Sequence, residues 1–119
     1  MSPRHFYVGW VDQVESYLER ITMRLISRKA LRSFWEDHPE AEEVLQDWYF
    51  KIKRSAAKNF VELRLTFPSA DLVGDCIVFN VGGNNYRVIA HLDYSVQIVW
   101  IRFVLSHAEY DREKWKADC

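Results

Sequence analysis

The chain has 119 residues, 49% of them hydrophobic and 28% charged, which is enough for one domain with one core and too few for two. Sixteen Lys and Arg stand against seventeen Asp and Glu, so an anionic partner has to be met by a local basic patch rather than by net charge. The longest apolar run, residues 96–105, is interrupted by Gln97 and Arg102 and is too short for a membrane span, and the first residues lack the layout of a secretory signal. A soluble, cytoplasmic protein without membrane contact is expected.

Cys76 lies in an apolar run and Cys119 is the last residue, so the pair makes no disulfide framework and two reduced thiols are expected. His5, His38, His91 and His107 are scattered, no ligand spacing is present, and neither a metal nor a cofactor is expected. Charge is ordered in blocks. Residues 23–34 carry four basic groups and no acid, residues 35–50 six acids and no basic group, and residues 51–64 five basic groups and one acid.

Residues 1–22 read as an extension ahead of a domain spanning 23–119. Within it Asp12 and Glu15 have capping-box spacing and Val14, Tyr17, Leu18 and Ile21 recur at helical intervals, which fits a short helix or a frayed start equally well. Leu25, Ile26 and Ser27 fit a short strand, and Ser27 can cap a helix carrying Ala30, Leu31, Phe34 and Trp35 on one face and ending by His38. Pro39 suits a first helical turn followed by Glu40, Glu42 and Glu43, and the stripe Ala41, Val44, Leu45, Trp48, Tyr49, Ile52 predicts a second helix over about 39–54. Residues 59–67 suit a helix or a strand and stay open. After the turn-rich stretch 67–71 the pattern becomes β: strands over 76–81, 85–92 and 96–105, joined by turns at Gly82-Gly83-Asn84 and Asp93-Tyr94-Ser95. Ser106 and Glu109 have capping-box spacing and predict a short terminal helix from about His107. The fold class expected is α+β: a small, twisted, mostly antiparallel sheet, made of a short N-terminal strand plus a three-stranded meander, with two helices on one face, a short C-terminal helix, and the other face free.

Alternation sets Tyr86, Val88, Ala90 and Leu92 toward the core and Arg87, Ile89 and His91 away from it. In the last strand Val96, Ile98, Trp100, Arg102 and Val104 would share a side, and a lone Arg there has to be paired or open onto a groove, which Arg87 could share across the hairpin. His107 and Tyr110, three residues apart on a helix, share a face and can transfer protons, while Arg64, Arg87 and Arg102 can supply cations for a phosphate. Such a set suits metal-free RNA cleavage, although a His after a strand and a Tyr near a chain end are more often cap and core residues.

Four segments, residues 23–31, 67–71, 78–87 and 101–111, together closely resemble the HigB toxins of bacterial toxin–antitoxin systems. Phe-Asn-Val-Gly-Gly-Asn at 79–84 and His-x-Glu-Tyr-Asp at 107–111 are their most specific stretches. The resemblance implies a RelE-like mRNA interferase, a ribosome-dependent endoribonuclease that uses no metal and promotes attack of a 2′-OH on the adjacent phosphate. It also implies a HigA-type antitoxin with a helix-turn-helix domain, through which alone operator DNA would be contacted. Carried over by position, His107, Tyr110 and Arg102 form the catalytic set. Arg87 binds phosphate, Arg64 stands where the family usually has Lys, and Lys58 from the same basic block joins them in substrate binding. The extension and the near-neutral balance, with a pI of about 6.4, depart from the family pattern. The alternative is a non-catalytic, ParE-like toxin that acts by protein contact on a gyrase-type target.

Overall fold

The computed structural model describes residues 23–119; the extension 1–22, with the helix expected in it, lies outside the described residues. In chain order the elements are β1 (Arg24–Ile26), α1 (Arg28–Asp37), a 3-10 turn (Pro39–Ala41), α2 (Glu42–Ser55), α3 (Phe60–Thr66), β2 (Asp71–Val73), β3 (Cys76–Val81), β4 (Tyr86–Asp93), β5 (Ile98–Ser106), α4 (His107–Asp111) and a last 3-10 turn (Lys114–Asp118). The strands form one sheet in the order β1-β5-β4-β3-β2, with β1 parallel to β5 and every other pair antiparallel. This is the expected α+β class with five strands rather than four and three helices, not two, in the layer beside the sheet.

Several local departures have identifiable causes. The expected single helix over 39–54 starts as the 3-10 turn on Pro39, and α2 runs on to Ser55, where Ala56 ends it in the left-handed conformation. The open stretch 59–67 is helical because Asn59 caps it: its side-chain oxygen accepts from the Glu62 N–H at 2.8 Å, while Glu62 accepts from the Lys58 N–H at 3.0 Å. β2 was hidden because three residues are too few for a periodicity. β5 begins at Ile98 rather than residue 96, since Asp93 Oδ1 gathers the N–H groups of Ser95 and Val96 into a turn and Gln97 closes it at φ 57°. Gly82 and Gly83 carry positive φ in the turn joining β3 to β4, as their pairing with Asn84 predicted.

The helix-facing core joins Leu31 of α1, Leu45, Trp48 and Ile52 of α2, and Leu63 of α3 to Phe79, Val88, Ala90 and Val99 of the sheet. Phe79 is its centre, meeting Trp48 and Phe67 edge-on at 5.3 and 5.1 Å. Leu45, Ile52, Leu63 and Val88 are fully buried, so this layer fixes the sheet that carries the site. No helix of the described residues is long and apolar enough to cross a membrane.

The opposite face is only partly free, which corrects the sequence reading. Cys76, Val78 and Ile89 form a second buried cluster under Trp115, with Phe103, Leu105 and Tyr110 packed around it. The C-terminal segment crosses this face and is fastened at its end. Cys119 is bonded to Cys76, with the two Cα atoms 5.3 Å apart, and the Asp75 N–H donates to the Cys119 carbonyl at 2.9 Å. The expectation of two reduced thiols is therefore wrong: cysteines 43 residues apart in sequence give no spacing signal, and only the return of the chain brings them together. Gly74 permits that return, because a Cβ there would collide with the Cys119 carbonyl oxygen.

The expected alternation in β5 also fails. Ile89 pairs with Phe103 and Ala90 with Ile101, which leaves Arg102 as the extra residue of a β-bulge. Strand parity therefore changes there: Val99 and Ile101 face the helices, whereas Phe103 and Leu105 face the second cluster.

Candidate active site

The site is built where β4 starts and β5 ends. The hairpin turn, residues 82–85, sits beside the N-terminus of α4, and the His107 N–H donates to the Asn85 carbonyl at 2.9 Å. The expected capping box is formed: Glu109 accepts from the Ser106 N–H at 3.0 Å, and the Ser106 hydroxyl accepts from the Glu109 N–H at 3.3 Å. The Ser106 N–H first, and the Ser106 hydroxyl donating to the same carboxylate at 3.0 Å, hold the Glu109 carboxyl below its ordinary value. The start of α4 is thus pinned from two sides.

Arg87 is the buried charge of this corner, only 5% exposed. Its Nη1 donates to the carbonyls of Asn84 and Tyr86 at 3.1 and 3.0 Å, and its Nη2 donates to Asn84 Oδ1. The same Nη2 lies 3.5 Å from His107 Nδ1. A guanidinium only donates, so this contact is attractive only when Nδ1 offers its lone pair. The other ring nitrogen, Nε2, faces Asp111 Oδ2 at 3.3 Å, four residues along the helix. A neutral His107 then carries its proton on Nε2, and the two neighbours fix the orientation of the ring. The ring is about half exposed, so it forms the mouth of the site above a buried cation.

Tyr110 completes the group. The Arg87 guanidinium lies 4.8 Å from its ring centroid, and the Trp115 ring stacks on it at 5.1 Å and 13°. Trp115 also donates from Nε1 to the Tyr110 carbonyl at 3.0 Å, and its own side chain is buried against Ile89 and Val78. The C-terminal segment therefore backs the site.

Of the six residues singled out in the sequence, Arg87, His107 and Tyr110 come together and three do not. Arg102, the bulge residue, lines a separate cleft of about 440 Å³ with Ile26, Ser27, His91, Trp100 and Ile101. The groove expected to be shared by Arg87 and Arg102 is thus two places, because the bulge was not visible in the alternation. Arg64 donates to the Pro68 carbonyl at 3.0 Å and lies 5.9 Å over Phe60, on α3 in the helix layer. Lys58 is exposed in the lead to that helix. No hydrogen bond or ion pair among the described residues joins any of these three to Arg87, His107 or Tyr110.

Three further participants were not read from the sequence. Asp111, four residues after His107 on one helix, stands at a spacing that could have revealed it, whereas Asn84 lies in the hairpin turn, where no helical spacing applies. Trp115 gave no such signal, since Glu113 turns the chain at φ 59° and breaks the helical period.

The small sheet thus brings a buried arginine, an imidazole and a phenol together at one open corner. Residues 41–113 match the family model described as HigB_toxin, RelE-like toxic component of a toxin–antitoxin system, and the chain belongs to that family. It is 37% identical over 92 residues to the mRNA interferase toxin HigB of Escherichia coli strain K12, covering 75% of this chain and 88% of the relative. The mRNA interferase HigB of Shigella flexneri matches to the same extent. An mRNA interferase HigB of Escherichia coli O6:H1 is 30% identical over 93 residues, covering 76% of this chain and 90% of the relative.

Proposed function

We propose that this chain is the toxin of a type II toxin–antitoxin system, a cytoplasmic endoribonuclease that cleaves mRNA on the ribosome and is neutralised by a HigA-type helix-turn-helix antitoxin. Operator DNA would be reached only through that antitoxin. The observation that carries the reading is the convergence of Arg87, His107 and Tyr110 in a chain of the HigB family.

Cleavage proceeds by attack of a 2′-OH on the adjacent phosphate, leaving a 2′,3′-cyclic phosphate and a free 5′-OH. Arg87 meets the charge that builds on the phosphorane, a task suited to a cation held in place by Asn84 before substrate arrives. His107 acts as acid or base at the mouth, its ring oriented by Asp111 and Arg87. Because the ring of Tyr110 is already engaged by Arg87 and Trp115, its role is to hold the guanidinium rather than to stack on a base. Arg102, Arg64 and Lys58 then serve substrate outside the reacting centre.

The test is expression of the wild type and of His107→Ala and Arg87→Met. Wild type is expected to stop growth and to create mRNA ends bearing a cyclic phosphate. Each variant should lose roughly 10²–10⁴ in cleavage rate and restore growth while still binding antitoxin. If both variants stayed as toxic as wild type, the site would be wrong; arrest without new RNA ends would favour the protein-contact alternative.

A further inference from the structure

The same sheet face carries a second chemically distinct patch that the cleavage centre does not use. Trp100 lies on β5 between Ile26 of β1 and His91 of β4, and 40% of this indole is exposed. A large aromatic left open in mid-sheet, with a cation beside it, is what single-stranded nucleic-acid sites offer: every base has a face to stack, and the backbone needs a positive charge. Arg102 supplies that charge. As the bulge residue it has left the ladder of paired residues, is exposed, and makes no hydrogen bond or ion pair among the described residues. His91 Nδ1 lies 2.9 Å from the Asp75 carbonyl, which can only accept, so Nδ1 donates there and the ring is held in place beside Trp100.

The patch is a separate cleft on the same sheet face as the cleavage centre. His91 is four residues from Arg87 on one side of β4, a separation of roughly 13 Å along the strand, which is within reach of a neighbouring stretch of the same RNA. Further along β5, Phe103 and Leu105 line another cleft with Trp115, Arg112 and Lys114. We propose that Trp100, with His91 and Arg102, forms a stacking subsite for an unpaired nucleotide flanking the cleaved phosphate, with the RNA running along the outer side of β5. The inference rests on the proposed RNA-cleaving function and extends it from chemistry to substrate binding.

Steady-state cleavage of a short synthetic mRNA, free and in programmed ribosomes, tests it with full-length wild type, Trp100→Ala, Trp100→Phe and Arg102→Gln. Loss of one base stack should raise KM for Trp100→Ala roughly 5- to 150-fold with kcat held, while Trp100→Phe recovers most of the loss. Arg102→Gln should raise KM less and flatten its dependence on salt. The exposed position makes folding of these variants checkable by an unchanged melting temperature. A KM for Trp100→Ala equal to that of wild type, with wild type cleaving normally, overturns the subsite and leaves the nuclease reading intact. If Trp100→Ala keeps its KM but loses antitoxin binding, the patch is a protein contact and the subsite is likewise overturned. If wild type cleaves no RNA in either setting, the nuclease reading fails and takes the subsite with it.

Discussion

Cutting the Cys76–Cys119 bond is expected to loosen the backing of the active site and to cost more stability than any single exposed contact. The bond closes a loop with a sequence separation of 43 residues. On the chain-entropy relation, a loop of that length removes about 13 cal/mol/K from the unfolded chain, or about 4 kcal/mol at 25 °C. Retained structure in the unfolded chain makes this an upper value, and about 2 to 4 kcal/mol is the expected range. Urea unfolding followed by far-UV circular dichroism, on oxidised wild type, reduced wild type and Cys119→Ser, measures it. At a slope of about 2 kcal/mol/M the midpoint should fall by roughly 1 to 2 M in both treated samples. The near-UV signal of Tyr110 and Trp115 should weaken before global unfolding, because the segment that stacks them would be fastened at one end only. Gly74→Ala supplies a control. Its added Cβ presses on the Cys119 carbonyl, so it should harm the bonded chain more than Cys119→Ser, and a double-mutant cycle should show the difference. A midpoint unchanged by reduction would refute the account of this segment as a fastened strap.

Asn84→Ala should cost about 1.5 to 3 kcal/mol in urea unfolding, because it removes the side-chain acceptor of a buried guanidinium, and it should lower cleavage with it. Ile89→Ala, at a fully buried position beneath Trp115, should cost about 2 to 5 kcal/mol in the same assay. Acid should release α4. The Glu109 carboxyl is held below its ordinary value, first by the Ser106 N–H, so its stabilising effect is complete above the ordinary glutamate range. That effect is lost as pH falls through the lowered folded value, and Glu109→Gln should flatten the acid limb of a near-UV pH titration.

Legibility followed the range of the physics involved. Local signals were sufficient for α2 and α4: a proline at the first turn, acids ahead of bases, and Ser106 with Glu109 each act within a few residues, whereas Ser27 stands at the start of α1 without the side-chain cap bond read for it. The glycine turn and the inward set Tyr86, Val88, Ala90 and Leu92 were legible for the same reason. What could not be read was made by chain return. Trp115 reaches Ile89, and Cys119 reaches Cys76, only because residues 112–119 fold back over the sheet, and neither contact leaves a period in the sequence. The bulge was hidden differently: Arg102 in an apolar run was read as opening onto a groove that Arg87 could share, and it does line a cleft, but as the bulge residue it has left the alternation and that cleft does not include Arg87. Helix spacing put His107 with Tyr110 and the resemblance set Arg102 beside them, whereas the structure brings Arg87 to the pair and a register shift of one residue detaches Arg102.

That single extra residue makes β5 a strand with two allegiances. Upstream of Arg102 its inward side chains belong to the helix layer, and downstream Phe103 and Leu105 belong to the layer that backs Tyr110. Length variants of this strand outside the bulge should therefore be far more damaging than point variants. Removing Arg102 itself only closes the bulge, because Ile101 and Phe103 already pair with the adjacent residues Ala90 and Ile89, whereas removing Val104 would turn Leu105 and Ser106 by one pleat and shift the start of α4, with its imidazole, relative to Arg87. The strand's register, not only its side chains, sets the geometry of the proposed site.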